Sequence, residues 1–397
     1  MADPALAPGG TKPSYPPLPP TFTGPEGIRF DFNDGARIAF PKSDIPWRVR
    51  LRDRETETVL ADMPLNEGTL HSTRRSFVKF GFEIWRGGQK IFAHDLDLRD
   101  RDVRIDMSLG ALGDHLAWIG QVERFRLEHQ CRLTCIMKAP LAALLRDAYP
   151  FIRMITPDTE DGTLYYASYK VCIFYNDENG IYQPVDYRLA GLTGTAAHIL
   201  GQAPCEIRPR LSGITSTPPL DEPYVCIATQ ASGQAKYWNN PHGWREVVAF
   251  LKQQGLRVVC IDQKPVAGHG IVWNSIPNGV EDQTGNRPLA ERAMWLKHAR
   301  FFVGLSSGLS WLAWTVNCPV VMISGFTQPF NEFTTPWRPI NRNVCHGCAN
   351  DPRHQMDPKD YLWCPRHRGT PRQFECTRAI EGQHVIDMIG TLMTEIS

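Results

Sequence analysis

Predicted strands and helices alternate in two blocks of this chain, and this alternation restricts the fold more than any other feature. In the first block we predict strands at 103–107, 132–137 and 170–175, with helices at 115–129 and 140–149. In the second block we predict strands at 224–228, 258–261, 301–305 and 319–323, with helices at 244–254, 289–298 and 309–316. Because such alternation requires crossover connections, each block is expected to form a parallel sheet covered by helices. Two α/β halves, 103–208 and 209–337, would leave a ligand-binding cleft between them.

The segments on either side of these halves have different patterns. Residues 1–25 are rich in proline, which predicts an extended, disordered tail. From 26 to 102, apolar and polar residues alternate in three hairpin-like units, which predicts a small β-barrel-like or sandwich domain. Residues 338–378, here called the finger, lose all periodicity and are rich in Cys, His, Arg and Pro. Helical spacing returns in 379–397.

Charge and hydrophobicity exclude several classes of protein. The 397-residue chain has 43 Lys and Arg against 42 Asp and Glu, which argues against a dedicated binder of nucleic acid or anionic membranes. Residues 301–331 carry no charged side chain, but Gly, Ser, Asn and Pro interrupt them, which favours buried strands and a helix over a membrane span. The first residues contain no apolar signal-peptide core, so the eleven cysteines are expected to be reduced.

Four of these cysteines are spaced like metal ligands. Two residues separate Cys345 from Cys348, and Cys364 and Cys376 follow within the finger. Four thiolates suit a tetrahedral zinc or iron ion, and a complete ligand set indicates a structural rather than a catalytic site. Because the finger has few apolar residues, the metal would contribute folding energy. The alternative is four unligated thiols, and rival ligands are His346, His354 and His367.

Two glycine-containing loops precede predicted helices. In the first, Gly110-Ala-Leu-Gly113-Asp114, small residues allow a substrate to approach the backbone. Asp114 is either a helix cap or a general base that takes a proton from an acceptor hydroxyl. In the second, Ser306-Ser307-Gly308-Leu309, two hydroxyls and the helix N–H groups form a candidate phosphate cradle. The alternative there is a serine cap with a glycine needed for packing.

A polar loop after the strand at 224–228 is a further candidate site. It runs from Thr229 to Lys236 and Trp238, and a lysine at its end is well placed to meet a diphosphate leaving group. The alternative is a solvated lysine with an aromatic ring packed behind it.

Taken together, these motifs resemble the heptosyltransferase-like glycosyltransferases of family nine. Gly113-Asp114, Lys236-x-Trp238, Asp282-Gln-Thr-Gly285 and the Ser306 loop occur in the family's order. The lipopolysaccharide-core branch has Asp and His where this chain has Ser306 and Trp311. The added β-rich domain and the four-cysteine finger instead resemble the bacterial autotransporter heptosyltransferases, from about residue 26 onward.

The resemblance implies a GT-B fold with two Rossmann-like halves and an inverting protein O-heptosyltransferase that uses Asp114 as base. It implies ADP-heptose as donor, serines of an autotransporter passenger as acceptors, cytoplasmic action and a homo-oligomer, described for the family as a dodecamer. In that family the finger holds iron, one ion per chain, with zinc as the alternative from chemistry. The implied donor-binding residues are Gly110, Ala111, Leu112, Gly113, Thr229, Lys236, Ser306, Ser307, Gly308 and Leu309. Competing hypotheses are a lipopolysaccharide-core heptosyltransferase and a non-catalytic metal-finger adaptor.

Overall fold

The computed structural model describes residues 15–159 and 161–396. The part of the predicted disordered tail from 1 to 14 lies outside the described residues. The described remainder of that tail is packed against the protein, contrary to the prediction. Tyr15 donates a hydrogen bond to Asn33 at 2.7 Å, and β1 (Phe22–Thr23) pairs with the next strand, because aromatic side chains between the prolines find apolar partners.

The N-terminal β domain is present, but it is a sandwich rather than a closed barrel. Its strands are β2 (Arg29–Asn33), β3 (Arg37–Phe40), β4 (Trp47–Asp53), β5 (Thr58–Leu65), β6 (Gly68–His71), β7 (Phe80–Arg86) and β8 (Gln89–Asp95). One sheet has the order β5-β4-β7-β8, and aromatic rings such as Phe30 and Phe82, 5.5 Å apart, fill the space between it and β2-β3-β6. Alternating apolar side chains on facing strands account for this core.

The first α/β half is continuous with that domain. Its elements are β9 (Asp102–Asp106), α1 (Leu112–His129), β10 (Arg132–Ile136), α2 (Ala139–Leu145), β11 (Ile152–Ile155), β12 (Ala167–Lys170) and α3 (Tyr187–Ile199). The parallel order β11-β10-β9-β12 is extended by β2, since Ala167 pairs with Phe32. The strand predicted at 170–175 is observed as β12, which spans Ala167–Lys170, so the prediction placed it too late. Neither β11 nor α3 was predicted.

The second half forms a separate parallel sheet of order β17-β14-β13-β18-β19. Its elements are β13 (Tyr224–Ile227), α4 (Gly243–Gln253), β14 (Arg257–Cys260), β15 (Val266–His269), β16 (Val272–Ser275), β17 (Glu281–Asp282), α5 (Leu289–His298), β18 (Phe302–Leu305), α6 (Gly308–Thr315) and β19 (Val320–Ile323). Strands β15 and β16 form an additional hairpin. The uncharged stretch from 301 is thus a strand, a helix and a strand, and no described helix is long and apolar enough to cross a membrane.

The finger and the C-terminal helix complete the second half. The finger contains a 3-10 helix, Cys348–Asn350, and one short α-helix, α7 (Glu375–Arg378), and otherwise consists of turns and irregular segments. Helix α8 (Gly382–Glu395) buries one face, including Val385, Ile389 and Leu392, in the same core as α4. Trp238 donates a hydrogen bond to the carbonyl of Ile380 at 2.8 Å, which joins α8 to the loop that carries Lys236.

Candidate active site

The starts of α1 and α6 meet between the two halves. A Cβ atom on Gly308 would lie 2.9 Å from Leu112 Cβ, and one on Gly113 would lie 3.0 Å from Trp311. Both glycines therefore serve the close approach of the two helices, since any side chain would push the halves apart. Beside this contact opens a cleft of about 670 Å³ that both halves line.

Asp114 lies half-buried in the first turn of α1 and lines the cleft. Its Oδ2 accepts a hydrogen bond from the N–H of Ala111 at 2.7 Å, which caps the helix. Its Oδ1 has no hydrogen-bond partner among the described residues. Burial raises the pKa of the neighbouring Tyr175 hydroxyl, and the Asp114 charge adds to that rise. The carboxylate thus both caps the helix and presents a free oxygen to the cleft.

Lys236 enters the cleft from the opposite half. It ends a short 3-10 helix, Gln234–Lys236, and its ammonium group has no carboxylate partner in the described part of the chain. The preceding loop is held by Asp262, which is buried and accepts hydrogen bonds from the Thr229 N–H at 2.7 Å and its hydroxyl at 2.9 Å. Burial raises the pKa of Asp262. Thr229 is therefore a support for the loop that carries Lys236.

The two serines before α6 have different environments. The Ser306 hydroxyl donates to Glu332 at 2.5 Å, and Glu332 forms a buried ion pair with Arg338 at 2.6 Å. The Ser307 hydroxyl is buried and has no partner within the described residues. Ser307 lines the cleft at the cap position of α6 without capping it through its side chain, so the hydroxyl and the first helix N–H groups are left without a partner there.

Most of the predicted site residues line this one cleft. They are Ala111, Leu112, Gly113, Asp114, Lys236, Ser306, Ser307, Gly308 and Leu309. Gly110 and Thr229 do not line it. Gly110 is buried against Trp118 and His115, where a Cβ would lie 2.8 Å and 2.9 Å from those side chains, so its role is packing.

The finger brings cysteine thiols together. Cys345 Sγ and Cys348 Sγ are 3.9 Å apart. Burial raises the pKa of Cys376 to about 12, with further contributions from the neighbouring Cys345 and Cys364. Donor atoms of Cys345, His367 and Glu375 also lie within 4.8 Å of one another. Soft thiolates at this separation fit zinc or iron, and a cation would offset the cost of ionising buried thiols.

Comparisons with known proteins identify the family. Residues 24–88 match the model for the N-terminal domain of glycosyltransferase TibC, and 199–361 match glycosyltransferase family 9 (heptosyltransferase). The autotransporter heptosyltransferase BAHTCr of Citrobacter rodentium is 48% identical over 95% of this chain and 92% of its own length. TibC of Escherichia coli O78:H11 is 47% identical over 95% of this chain and 92% of its own. This chain is an autotransporter heptosyltransferase family member. It is accordingly a glycosyltransferase, as the sequence motifs predicted.

A third relative and a solved structure add detail to this family assignment. The inactive autotransporter heptosyltransferase BimC of Burkholderia thailandensis is 44% identical over 92% of this chain and 86% of its own. The crystal structure of dodecameric, iron-containing heptosyltransferase TibC in complex with ADP-D-β-D-heptose superposes with a TM-score of 0.93 at 46% identity, and it covers 96% of this chain and 100% of that chain. The autotransporter heptosyltransferase fold is therefore shared over nearly the whole molecule.

Three charged residues at this cleft were not predicted from the sequence: Asp262 and Glu332 line it, and Arg338 pairs with Glu332. Asp262 lies two residues after the end of β14, and the carboxyl end of a parallel strand is a common position for site residues, so it could have been found. Glu332 and Arg338 lie in an irregular segment after β19, and no local pattern links them to Ser306. Their pairing depends on the folded arrangement alone.

Proposed function

We propose that this chain transfers heptose from ADP-heptose to serine side chains of an autotransporter passenger, with inversion at the anomeric carbon. The observation that carries the proposal is the free oxygen of Asp114 in the same cleft as Lys236 and the start of α6. The TibC complex with ADP-D-β-D-heptose supports the choice of donor. We also assign the two halves to the GT-B arrangement, with the acceptor bound by the first half and ADP by the second.

Lys236, Ser307 and the N-terminus of α6 would bind the diphosphate. The ammonium group supplies a positive charge, the unpartnered hydroxyl supplies a donor, and the helix start supplies backbone N–H groups. The bond from the anomeric carbon to the diphosphate oxygen breaks during transfer, so negative charge grows on ADP. Donors that are already oriented stabilise that charge in the transition state.

Asp114 would act on the acceptor. The serine oxygen attacks the anomeric carbon from the face opposite ADP, and the hydroxyl proton passes to the carboxylate of Asp114. One carbon–oxygen bond forms while the other breaks, which inverts the configuration. Because Oδ2 is held by Ala111, the free Oδ1 is the atom assigned to accept the proton.

We further propose that Cys345, Cys348, Cys364 and Cys376 hold one structural iron ion, that the protein forms a dodecamer, and that it acts in the cytoplasm. The iron-containing, dodecameric TibC structure supports the first two points. Such an ion cross-links a segment that has few apolar residues of its own.

Elemental analysis of the purified protein distinguishes iron from zinc. Cys364→Ser should lower the metal content, and sedimentation should then detect a smaller assembly; full metal content in this variant would remove Cys364 from the ligand set.

The deciding experiment measures the intact mass of a passenger domain co-expressed with this chain. The expected result is a series of heptose mass increments that peptide fragmentation places on serines, and that are absent with Asp114→Asn. An unmodified passenger beside a core oligosaccharide extended by heptose in vitro would favour the lipopolysaccharide-core alternative. An unmodified passenger that still co-purifies with the chain would contradict the proposed transfer and favour a non-catalytic adaptor role toward the passenger.

A further inference from the structure

The finger does more than surround four cysteines, because its middle part forms one wall of the cleft. Residues 349–363, here called the strap, lie between Cys348 and Cys364. Ala349, Met356, Asp357, Tyr361 and Trp363 are among the strap residues that line the cleft. The strap therefore lines the same cleft as the candidate donor and acceptor groups.

On the side of the first half, the strap is held by the segment before and at the start of α3. Arg188 Nη1 donates to the carbonyls of Pro352 at 2.9 Å and His354 at 3.0 Å. The Gln355 amide donates to Asn176 Oδ1 at 2.7 Å and to the carbonyl of Tyr175. These bonds join the strap to 175–188, the part of the first half that faces Asp114.

On the side of the second half, the strap is held next to Lys236. The N–H of Gln234 donates to the carbonyl of Tyr361 at 2.8 Å. Ala235 packs in one small apolar cluster with Cys348 and Trp363. The lysine that should bind diphosphate is thus positioned by the strap through its two preceding residues.

One buried side chain contacts both halves at once. Asn350 donates through Nδ2 to the Arg188 carbonyl at 3.1 Å and to Asn331 Oδ1 at 3.0 Å. Its Oδ1 accepts from the N–H of Gln328 at 2.9 Å. Arg188 belongs to the first half, and Gln328 and Asn331 to the second, so the start of the strap ties the halves together.

We propose that the strap fixes the width of the cleft and the position of Lys236, and that the four-cysteine site, which anchors both ends of the strap, thereby controls how tightly the cleft binds ADP. The positioning residues are Arg188, Asn350, Gln355 and Tyr361, none of which needs to touch the reacting atoms. Metal binding and donor binding are then coupled through contacts that the described residues already make. The part of this proposal that concerns ADP rests on the proposed function, whereas the ordering of both cleft walls does not.

The test compares the metal-loaded wild type with Arg188→Ala and Gln355→Ala, which break strap contacts without removing a cysteine. Hydrogen exchange of 175–188 should become faster in both variants at full metal content. ADP affinity, measured by calorimetry, should fall about two- to tenfold, as expected for one or two lost hydrogen bonds. The matched control is Arg353→Ala, since among the described residues the Arg353 side chain pairs only with Asp351, within the strap, and it is 78% exposed. It should leave both measurements unchanged.

Removal of the metal from the wild type by a chelator should accelerate hydrogen exchange in both 175–188 and 231–237. In the Arg188→Ala variant, where exchange of 175–188 is already fast, removal of the metal should cause little further acceleration in that segment. Unchanged exchange in both segments, or fully additive effects, would overturn the strap proposal. If the metal-free protein unfolds completely, the test rests on hydrogen exchange in the metal-loaded Arg188→Ala and Gln355→Ala variants. Unchanged exchange of 175–188 in both of these variants would refute the proposal. If the loaded wild type binds no ADP, the proposed function fails, while the exchange measurements still test the strap.

Discussion

The starts of α1 and α6 contact each other in the cleft, yet they satisfy their polar groups in different ways. At α1, the carboxylate of Asp114 caps the helix by accepting from the Ala111 N–H. At α6, Ser307 stands at the cap position, but its hydroxyl makes no hydrogen bond within the described residues. The first helix start has the Ala111 N–H bound by Asp114 and presents a negative charge. The second leaves the Ser307 hydroxyl unpartnered within the described residues and suits an anion, and this difference underlies the acceptor and donor roles that we propose for the two ends.

The largest expected effect comes from removing the charge at α1. Asp114→Asn keeps an oxygen that can accept from Ala111, so the fold should be retained, but it removes the base. Transfer should fall by about 10²–10⁴, the usual contribution of a general base, with ADP affinity unchanged. Asp114→Ala should lose transfer to the same extent and also about 1 kcal/mol of stability, because the cap is lost. Wild-type transfer rates in either variant would assign the base elsewhere.

The next effect concerns the cation that faces α6. Lys236→Ala should weaken ADP binding about 10- to 100-fold, since a hydrogen bond to a charged group contributes about 1.5–3 kcal/mol. Titration calorimetry measures the affinity directly. Lys297→Ala is the control, because its ammonium group bonds to the carbonyl of Ile214 away from the cleft lining and should leave ADP binding intact. Equal affinities in both variants would move the diphosphate site away from Lys236.

A smaller effect should come from the contact between the helix starts. Gly308→Ala places a Cβ 2.9 Å from Leu112 Cβ and 3.2 Å from the backbone nitrogen of Gly113, so the halves must separate. The free energy of unfolding should fall by about 1–3 kcal/mol, as for other overpacked sites. Gly390→Ala in α8 meets no atom within 4 Å and should raise stability slightly. Denaturant unfolding of both variants tests whether the glycine is needed for this contact.

The most discriminating effect concerns the neighbouring serines. Ser307→Ala removes a hydroxyl that has no hydrogen-bond partner within the described residues, so stability should stay level or rise while ADP affinity falls about two- to tenfold. Ser306→Ala leaves buried Glu332 without one donor, so stability should fall by about 1–3 kcal/mol. Thermal unfolding and calorimetry separate the two outcomes. If both variants behave alike, the distinction between a structural and a ligand-binding serine is wrong.

Much of the second half could be predicted because its signals are local. The helix predicted at 289–298 is observed as Leu289–His298, and the uncharged stretch after 301 forms β18, α6 and β19. Helix α3 was missed because glycine and threonine interrupt its apolar pattern, and Gly191 inside it has a φ of 67°. Its start carries the tyrosine and arginine that contact the strap, so that side of the site was also missed.

By itself, the sequence determined the two α/β halves, the glycine-containing helix starts, the cysteine spacing and the motifs that place the chain in its family. These features depend on residues within one or two turns or strands of each other. Only the tertiary structure decided that β12 pairs with β2, that Ser306 is bound to Glu332, and that the strap crosses from Arg188 to Gln234. These contacts join residues that are distant in the chain, and their partners are selected by packing and by the need to satisfy buried polar groups.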